Sequence, residues 1–469
     1  MRNVVLVCLD AVRKDVFDEY ARRLRTRAGI EYTQARAVSG WSVPSHASMF
    51  TGTLPHEHGI HTFHRDFSGL TREETFLDRL PDHEVLGASA NVYASDAFGF
   101  DELFDAYRSV SPDRRFPEGL DAERWGQEAD ETGMARYLAF LRSALRHERP
   151  LPSVANGVLV ELDNWLADAP FEKPLDDGAN IVAREAKRLV SEATEPFVLF
   201  TNFMDVHGPL TPVRSYDSSL YDARPSWSSR AFDGRAVERG EIDEIRDDIT
   251  HHRELYAAAT EYLDRVVDNL VDWLHSNTNN ETTVVVTADH GENLGYEADR
   301  RLFAHRSGLT EGLLHVPLLV LNPPEVMEST VDDYVSHLRL GELVTGLATE
   351  TVPDVTDDVI PAERIGFNVP VNPNATPLRD DDRAIRVAYE GDAKYQWDTL
   401  GNRHRYRLDP DRPSWQERDA QEVDISGYET TLFEVPIDEY RSRVETSSAE
   451  RTAAVDDSVE DRLADLGYR

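Results

Sequence analysis

The chain has 469 residues, of which 40% are apolar and 9% aromatic, so it holds enough apolar material for a large buried core and is not globally disordered. Its 87 acidic residues against 50 basic ones give a net charge of −37, which argues against non-specific nucleic-acid binding because a strongly negative surface repels phosphates. Only four basic residues are lysines, and an acidic, arginine-rich composition is typical of halophilic proteins from a high-salt cytosol.

The cysteine count and the hydropathy pattern set further limits. Cys8 is the only cysteine, so no intrachain disulfide can form, and in its apolar run the thiol acts as a small hydrophobic group. No stretch of 18 apolar residues occurs, and the N-terminal apolar run is too short for a signal peptide. We therefore expect no membrane-spanning helix and a cytoplasmic location.

Short apolar runs alternate with helical patterns along the first two thirds of the chain. Residues 4–9 predict a buried strand, and residues 11–27 the helix that follows it. Residues 252–275 predict a long amphipathic helix. Further buried strands are predicted at residues 85–88, 197–203, 283–287 and 316–321. Strands separated by helices predict an α/β fold with a mostly parallel central sheet flanked by helices, and a site at the carboxyl ends of its strands.

The remaining segments suggest how the chain is divided. We expect a catalytic α/β domain at residues 1–345, with an irregular, proline-containing insertion at about residues 106–181. Residues 346–469 are the predicted C-terminal subdomain. Its strand-like segments at residues 383–389, 394–399 and 404–408 predict a small antiparallel sheet. An acidic linker is predicted at residues 446–457, and a closing helix at residues 459–468.

Polar side chains lie where the predicted strands end. Asp10 follows the first strand, and Asp289 and His290 follow the strand at residues 283–287. Taken singly, each has a plain structural explanation, such as a helix cap or a loop histidine. Together, two carboxylates and an imidazole at one edge of a parallel sheet predict a divalent metal site. Ser42 can begin a helix, because Pro44, two residues later, is favoured in a first helical turn. The N–H groups at the start of such a helix favour an anion.

Five motifs in order make the chain similar to the sulfatase branch of the alkaline phosphatase superfamily. They are the opening strand through Asp10, Ser-Val-Pro-Ser-His with the later Thr-Gly-Thr-Leu-Pro-His-Glu-His-Gly, Phe-Met-Asp-Val-His-Gly-Pro, Thr-Ala-Asp-His-Gly-Glu, and His-Val-Pro-Leu-Leu-Val, at residues 3–15, 42–46 with 51–59, 203–209, 287–292 and 315–320. The chain is therefore identified as a member of that family, and the resemblance implies a sulfatase-like fold with a smaller C-terminal antiparallel sheet.

The resemblance also implies a metal centre. Asp10, Asp289 and His290 match ligands of a single divalent ion, and the side chain of Ser42 completes the set. The family favours Ca²⁺, with Mn²⁺, Mg²⁺ or Zn²⁺ as alternatives.

Catalytic roles follow from the same resemblance. Ser42 matches the nucleophile, and His46 stands where the family usually has an arginine that braces it. His207 matches the histidine that faces the leaving group, and His305 matches a basic residue that contacts the anionic group. For three further histidines, packing of the nearby loop is a simpler explanation than ligation: His56, His58 and His61.

Departures from the family pattern leave the substrate open. Ser42 lacks the arginine four residues on that accompanies conversion to formylglycine, Asp10 precedes an alanine rather than a second aspartate, and Asp289-His290 replaces the more usual Asp-Asn. We therefore expect a hydrolase of sulfate or phosphate esters that uses Ser42, or formylglycine derived from it. Its substrate would be a small anionic ester or a sulfated or phosphorylated glycan or lipid-type molecule.

Two alternatives remain. One is a two-metal phosphatase or phosphomutase, in which Asp205, His207 and His305 would hold a second ion. The other is a catalytically inactive binding protein on the same scaffold. The presence of the nucleophile and all the first ion's ligands argues against an inactive protein.

Overall fold

The computed structural model describes residues 1–111, 115–120, 122, 125, 134–166, 171–231, 233–243, 245–325, 329–366, 383–419, 423–433 and 435–439. The acidic linker and the closing helix predicted from the sequence lie outside these residues. The division of the chain at residues 345 and 346 stays a prediction, and a helix, Leu340–Ala348, runs across that point.

The described elements are as follows. The strands are β1 (Asn3–Leu9), β2 (Ala28–Arg36), β3 (Glu84–Ser89), β4 (Ala106–Ser109), β5 (Phe197–Phe203), β6 (Thr282–Thr287), β7 (Leu318–Leu321), β8 (Ser329–Ser336), β9 (Val359–Arg364), β10 (Ile385–Glu390), β11 (Ala393–Asp398), β12 (Arg403–Leu408) and β13 (Gln416–Arg418). The α-helices are α1 (Lys14–Tyr20), α2 (Arg22–Arg27), α3 (Ser42–Thr51), α4 (Pro55–His58), α5 (Met134–Arg146), α6 (Pro150–Leu166), α7 (Ala179–Glu192), α8 (Gly234–Glu238), α9 (Arg246–Asn277), α10 (Glu311–Leu314), α11 (Leu340–Ala348) and α12 (Ser426–Leu432). Short 3₁₀ turns lie at Arg72–Glu74, Phe76–Arg79, Asp96–Phe98, Phe100–Leu103, Ser229–Ala231 and His337–Arg339.

The central sheet has eight strands in the order β4-β3-β5-β1-β6-β7-β2-β8. All neighbouring strands run parallel except where β7 pairs with β6 and β2. The valine-rich β1 is buried along its whole length between β5 and β6, as expected for a parallel strand covered on both faces. The predicted α/β fold with a mostly parallel sheet is confirmed.

Two predicted elements differ in detail. The helix predicted over residues 11–27 is split into α1 and α2 at Ala21, and it starts only at Lys14, because residues 10–13 form a turn in which Ala11 has a φ of 59°. The strand predicted at residues 316–321 begins at Leu318, since Pro317 has no N–H to add to a ladder. The long helix α9 extends beyond its predicted range at both ends.

The C-terminal sheet is antiparallel throughout, in the order β13-β12-β11-β10-β9, and three of its strands match the predicted segments. It shares the core of the central sheet through Ile360, Ala362 and Val387. In addition, the backbone N–H of Glu363 donates to the carbonyl of Val38, which comes shortly before α3. The second sheet therefore adjoins the region where the site forms.

The region predicted as an irregular insertion contains a helical hairpin, formed by α5 and α6. Phe140 on α5 packs so closely on Gly157 of α6 that any side chain at position 157 would overlap its ring. The hydroxyl of Tyr137 donates to the Glu161 carboxylate at 3.0 Å. In the part of the chain that the structure describes, no helix combines the length and the apolar character needed to cross a membrane.

Candidate active site

The site lies at the edge where the parallel strands of the central sheet end. Asp10 directly follows β1, and Asp289 follows the adjacent β6. The register of these two strands brings the carboxylates together with His290. One ligand atom from each of the three lies within 4.8 Å of the other two, and all three side chains are fully buried.

His290 is oriented so that one ring nitrogen faces the carboxylates. Its Nδ1–H donates to the Gly291 carbonyl at 2.7 Å, which leaves the lone pair of Nε2 available as a ligand. Nε2 is 3.5 Å from Asp289 Oδ2 and 3.9 Å from Asp10 Oδ1. The Ser42 hydroxyl is 3.3 Å from Nε2 and 3.5 Å from Asp10 Oδ2. The structure thus brings together the four ligands that the sequence predicts.

In each of the two carboxylates, one oxygen accepts hydrogen bonds, and the other accepts none from the described residues. Asp10 Oδ2 accepts from the Asn91 amide at 2.6 Å, and Asp289 Oδ1 accepts from the N–H groups of Ala11 and His290 at 3.3 and 2.9 Å. Asp10 Oδ1 and Asp289 Oδ2 are buried and have no hydrogen-bond partner among the described residues. Two such oxygens beside an imidazole lone pair and a hydroxyl form a donor set that fits a divalent cation.

The electrostatics of the group agree with this fit. Burial raises the pKa of Asp10, and the neighbouring charge of Asp289 raises it further. Burial also raises the pKa of Asp289. Burial, with His305 nearby, lowers the pKa of His290 to about 3, so its ring is a neutral ligand. Two buried carboxylates of like charge are unfavourable as anions unless a cation compensates them.

Ser42 is the first residue of α3 and is fully buried, one turn before His46. The Nδ1–H of His46 donates to the Ser42 carbonyl at 2.8 Å, and its Nε2 accepts from the amide of Asn202 at 3.0 Å. The ring lies edge-on to Phe100 and Phe200. His46 is therefore fixed on both sides, which suits a residue that positions Ser42.

Two further imidazoles adjoin Asp10, Asp289 and His290, which together form the candidate metal-ligand group. The ring centroid of His305 is 4.8 Å from that of His290 and 4.9 Å from that of His207. Nδ1 of His207 donates to the carbonyl of Gly208 at 2.7 Å, which fixes the ring. Burial, with His207 nearby, holds the pKa of His305 well below its usual range. The sequence-predicted residues of the leaving-group side thus lie beside the predicted metal ligands.

The structure adds three residues that the sequence did not single out. Glu292 accepts from the Nδ1 of His305 at 3.0 Å, Asn91 donates to Asp10, and Asn202 contacts both Asp10 and His46. Glu292 ends the Asp-His-Gly-Glu motif. For Asn91 and Asn202, the sequence offers only a weak indication of a role at the site. Each is a polar residue at or just after the end of a buried strand, β3 or β5.

The turn that carries His290 is pressed against α10. The Gly291 N–H donates to the Leu313 carbonyl at 2.8 Å. A Cβ on Gly291 would fall far inside van der Waals distance of the Gly312 carbonyl oxygen, and a Cβ on Gly312 would meet Arg13 and Asp299. Position 291 therefore requires glycine, and a side chain at position 312 would displace the buried Arg13–Asp299 ion pair.

Other residues named from the sequence lie apart from the metal-ligand group. Asp205, needed by the two-metal alternative, accepts from the Asp177 N–H at 3.1 Å, and burial with the charges of Asp176 and Asp177 raises its pKa well above its usual range. His56 pairs with Glu363, and the other two loop histidines bond within the loop region, to Ser48 or to nearby backbone groups: His58 and His61. Across the described ranges, only Asp10, Asp289 and His290 form a group close enough to hold an ion.

Comparison with known proteins agrees with this arrangement. The sequence profile of the sulfatase family matches residues 2–349. The chain is 25% identical over 355 residues to the uncharacterized sulfatase YidJ of Escherichia coli K12, a match that covers 72% of this chain and 63% of that relative. The chain thus matches less than two thirds of the relative's length.

Solved structures share the fold at low sequence identity. The phosphonate monoester hydrolase of Agrobacterium radiobacter superposes with a TM-score of 0.59 at 14% identity, over 96% of each chain. A 2-O GAG sulfatase superposes with a TM-score of 0.56 at 14% identity, over 98% of this chain and 96% of that one. A protein solved with its substrate D-glucosamine-2-N,6-O-disulfate gives 0.55 at 12% identity, over 99% and 98% of the two chains.

Proposed function

This chain belongs to the sulfatase family, and from that premise we propose that it is a metal-dependent hydrolase of sulfate or phosphate esters with Ser42 as its nucleophile. The observation that carries the proposal is the pair of buried, unpartnered carboxylate oxygens of Asp10 and Asp289, which face Nε2 of His290 next to the Ser42 hydroxyl. A buried arrangement of this kind is costly unless it binds a cation.

Asp10, Asp289, His290 and Ser42 would hold one divalent ion. When bound, the ion would lower the pKa of the Ser42 hydroxyl and neutralise negative charge on the transferring group. The oxygen-rich donor set with one imidazole suits Ca²⁺, which the family resemblance favours, and it also admits Mn²⁺, Mg²⁺ or Zn²⁺.

The surrounding residues then have defined tasks. His207, with its Nδ1 held by the Gly208 carbonyl, would donate a proton to the departing alcohol oxygen from its other nitrogen. His305 would contact the anionic group of the ester, with Glu292 behind it. His46 and Asn202 would hold the first turn of α3 so that Ser42 faces the sulfur or phosphorus atom.

The state of Ser42 decides between the two ester classes. A serine phosphate can be hydrolysed by water, whereas a serine sulfate is harder to clear, and formylglycine avoids that problem because its hydrate eliminates sulfate. His46 stands where an arginine usually accompanies formylglycine formation, which favours unmodified Ser42 and phosphate esters. Family membership favours sulfate esters, so both remain in the proposal.

Mass spectrometry of the peptide that contains Ser42 separates them. Oxidation of the serine side chain to an aldehyde removes two hydrogens, so a mass lower by about 2 Da identifies formylglycine and a sulfatase. An unmodified mass with turnover of a phosphate ester but not of the matched sulfate ester identifies a phosphoesterase. Absence of turnover on sulfate, phosphate and phosphonate esters, with each of the four ions supplied after chelation, would contradict the proposal.

Metal content tests the stoichiometry. We expect one ion per chain by elemental analysis, since Asp205 is bonded on the side of Asp177 and not within the metal-ligand group. Two ions per chain would favour the two-metal alternative. None, together with no activity, would favour the inactive binding protein.

We also propose that the protein works in a high-salt cytosol. The support is the net charge of −37 with only four lysines, because self-repulsion at that charge density is relieved by screening. Its melting temperature should rise steeply from about 0.5 M KCl to molar KCl, where the Debye length falls to about 3 Å. A melting temperature that does not change over this range would contradict the proposal.

A further inference from the structure

The α5–α6 hairpin carries an exposed apolar patch on an otherwise acidic protein. Among the described residues, ten large hydrophobic side chains are exposed, and six of them lie on this hairpin. They are Tyr137, Leu138, Leu141, Leu145, Leu151 and Val158. A concentration of this kind on one element marks an interaction surface, whereas single exposed apolar residues are ordinary.

The patch is not needed to hold the hairpin together. On α5, the inward face is made by Phe140 and the buried Ala144, with Phe140 set against Gly157. Leu138, Leu141 and Leu145 recur at spacings of three and four, so they fall within about 60° of one another around the helix. All three are more than two-fifths exposed. Helix α5 is therefore apolar on two sides, and among the described residues only one of these sides packs against another element.

The charge of the hairpin is opposite to that of the protein. Helix α5, residues 134–146, has three arginines and no acidic residue, although the whole chain has a net charge of −37. The complete hairpin, residues 134–166, has four arginines against three acidic residues, Glu148, Glu161 and Asp163. Arg142 and Arg146 lie on the helical face next to the leucine stripe, and both are exposed. Leucines flanked by arginines on an exposed helix are the pattern of an interfacial amphipathic segment.

We propose that this hairpin docks the protein on an anionic lipid bilayer. Leu138, Leu141 and Leu145 would enter the acyl boundary, and Arg142 and Arg146 would contact lipid phosphates. This surface does not depend on the proposed ester hydrolysis.

A lipid surface fits this patch better than a second copy of the chain. A symmetric contact between the α5 helices of two copies would bring six arginines together with no acidic residue from either helix. In the described part of the chain outside the hairpin, the exposed large hydrophobic residues are Met1, Phe171, Tyr296 and Leu400, which lie far apart in sequence and on different elements. A second copy therefore offers no matching apolar surface except its own cationic hairpin.

The hairpin is firmly attached, so docking would orient the whole protein. The Asn156 side chain accepts from the Phe116 N–H and donates to the Phe116 and Leu120 carbonyls at 3.0 to 3.1 Å. Ser153 Oγ accepts from the Leu120 N–H at 2.8 Å. Arg115 in turn bonds Asp176, whose neighbour Asp177 contacts Asp205, two residues before His207.

Vesicle flotation tests the proposal with the full-length protein. The probes are phosphatidylcholine vesicles with and without roughly 30 mol % phosphatidylglycerol, in the lowest KCl concentration at which near-UV circular dichroism shows native packing. We expect the protein to float with the anionic vesicles and to partition at least tenfold less onto neutral ones. The variant Leu138→Ser/Leu141→Ser/Leu145→Ser should lose at least tenfold in partitioning. Arg142→Gln/Arg146→Gln should lose up to about fivefold for each arginine, and this loss should become smaller as the KCl concentration is raised.

Leu400→Ser is the matched control, since Leu400 is exposed on the other sheet, and it should float like the unaltered chain. Circular dichroism of each variant confirms that the fold is kept. No flotation of the unaltered protein, or flotation that the leucine substitutions leave unchanged, would overturn the proposal. A dimer in light scattering that the leucine variant converts to a monomer, without vesicle binding, would assign the patch to a second copy instead.

Discussion

Two clusters of buried charge lie close together in this molecule, and they differ in completeness. In the Glu311 cluster, Glu311 accepts from Arg36 at 3.0 Å and from Tyr389 at 2.7 Å, and it pairs with Lys394 at 3.0 Å. Burial alone would raise the pKa of Glu311, but Lys394 and Arg36 together lower it. Here every negative charge has a positive partner, and the cluster joins the C-terminal sheet to α10 and β2.

The Asp10–Asp289–His290 group is equally buried, yet the pKa values of its carboxylates shift in the direction opposite to that of Glu311. Their pKa values are raised, and one oxygen of each has no partner in the described chain. Carboxylates that are equally buried therefore serve two purposes in this protein. A completed buried ion network fixes structure, whereas an incomplete one marks a place where a charged ligand binds.

The largest effect is expected for Asp289→Asn, which removes one of the two carboxylate charges of the incomplete group. Loss of an anionic ligand should lower turnover by roughly four orders of magnitude or more, because nucleophile activation and charge neutralisation both depend on the ion. Elemental analysis should show loss of the ion. The chelated variant should be at least as stable as the chelated parent, since one of two repelling buried carboxylates is gone. Asp247→Asn, on the exposed side of α9, is the control; near-normal turnover in Asp289→Asn would place the metal elsewhere.

His207→Ala extends the test to the imidazoles beside the incomplete group. General acid catalysis is typically worth about 10²–10⁴-fold, so hydrolysis of an alkyl ester should fall by that factor, whereas a nitrophenyl ester, whose leaving group needs little protonation, should be almost unaffected. Metal content should not change. Equal losses on both esters together with loss of metal would instead identify His207 as a ligand of a second ion.

Glu311→Gln tests the complete cluster. Removing this charge leaves Arg36 and Lys394 buried without compensation, so the free energy of unfolding should fall by about 3–5 kcal/mol in denaturant titrations at fixed salt. Glu342→Gln, which breaks the surface pair with Arg339, should cost less than about 1 kcal/mol. Because the pKa of Glu311 is lowered from 4.5 on folding, its stabilisation is present above that value and is lost as pH falls through its folded pKa.

The acid limb of the stability profile should therefore be shallower in Glu311→Gln than in the parent chain. A parallel shift of the two profiles, with the same slope, would show that Glu311 is not the group that titrates.

Among the substitutions at the site, Glu292→Gln is expected to have the smallest effect on activity. It tests whether Glu292 supports the site or only the fold. Glu292 lies behind His305 and holds its Nδ1 at 3.0 Å. Loss of the charge should cost about 10–100-fold in kcat/KM, as for other residues that orient a site imidazole. The loss should arise mainly through KM, because His305 is proposed to contact the anionic group of the ester. Glu297→Gln, exposed in the same segment, should behave like the parent. An unchanged KM would mean that Glu292 has only a structural role.

Much of the fold could be predicted because each of its central strands contains a short run of apolar residues. β1, β3, β5 and β6 are buried on both faces, and their sequences show it. β2 and β8 were not predicted. β2 alternates buried and half-buried positions through polar residues, and β8 is an edge strand with a pair of aspartates, so neither has the apolar run of a central strand.

The site was predictable to a similar degree. Asp10, Asp289 and His290 could be named as candidates because they stand in ordered motifs just after strand ends, and Ser42 because its motif begins a helix. Asn91 and Asn202 could not, because what selects them is strand adjacency. β5 lies between β1 and β3 in the sheet but far from both in sequence, and only this order brings the two amides to Asp10.

The contact between Gly291 and Gly312 has a consequence for how this protein can change over generations. Gly291 follows His290, the proposed metal ligand, and Gly312 follows Glu311, so the two clusters meet where these backbones touch without room for a methyl group on Gly291. A variant library should return only glycine at position 291, and at position 312 it should return other residues only together with changes at Arg13 or Asp299. Substitutions in one cluster should also be epistatic with those in the other, because a shift of α10 moves the His290 turn. Adaptation to a new ester is therefore expected to accumulate in the loops around the site rather than at this crossing.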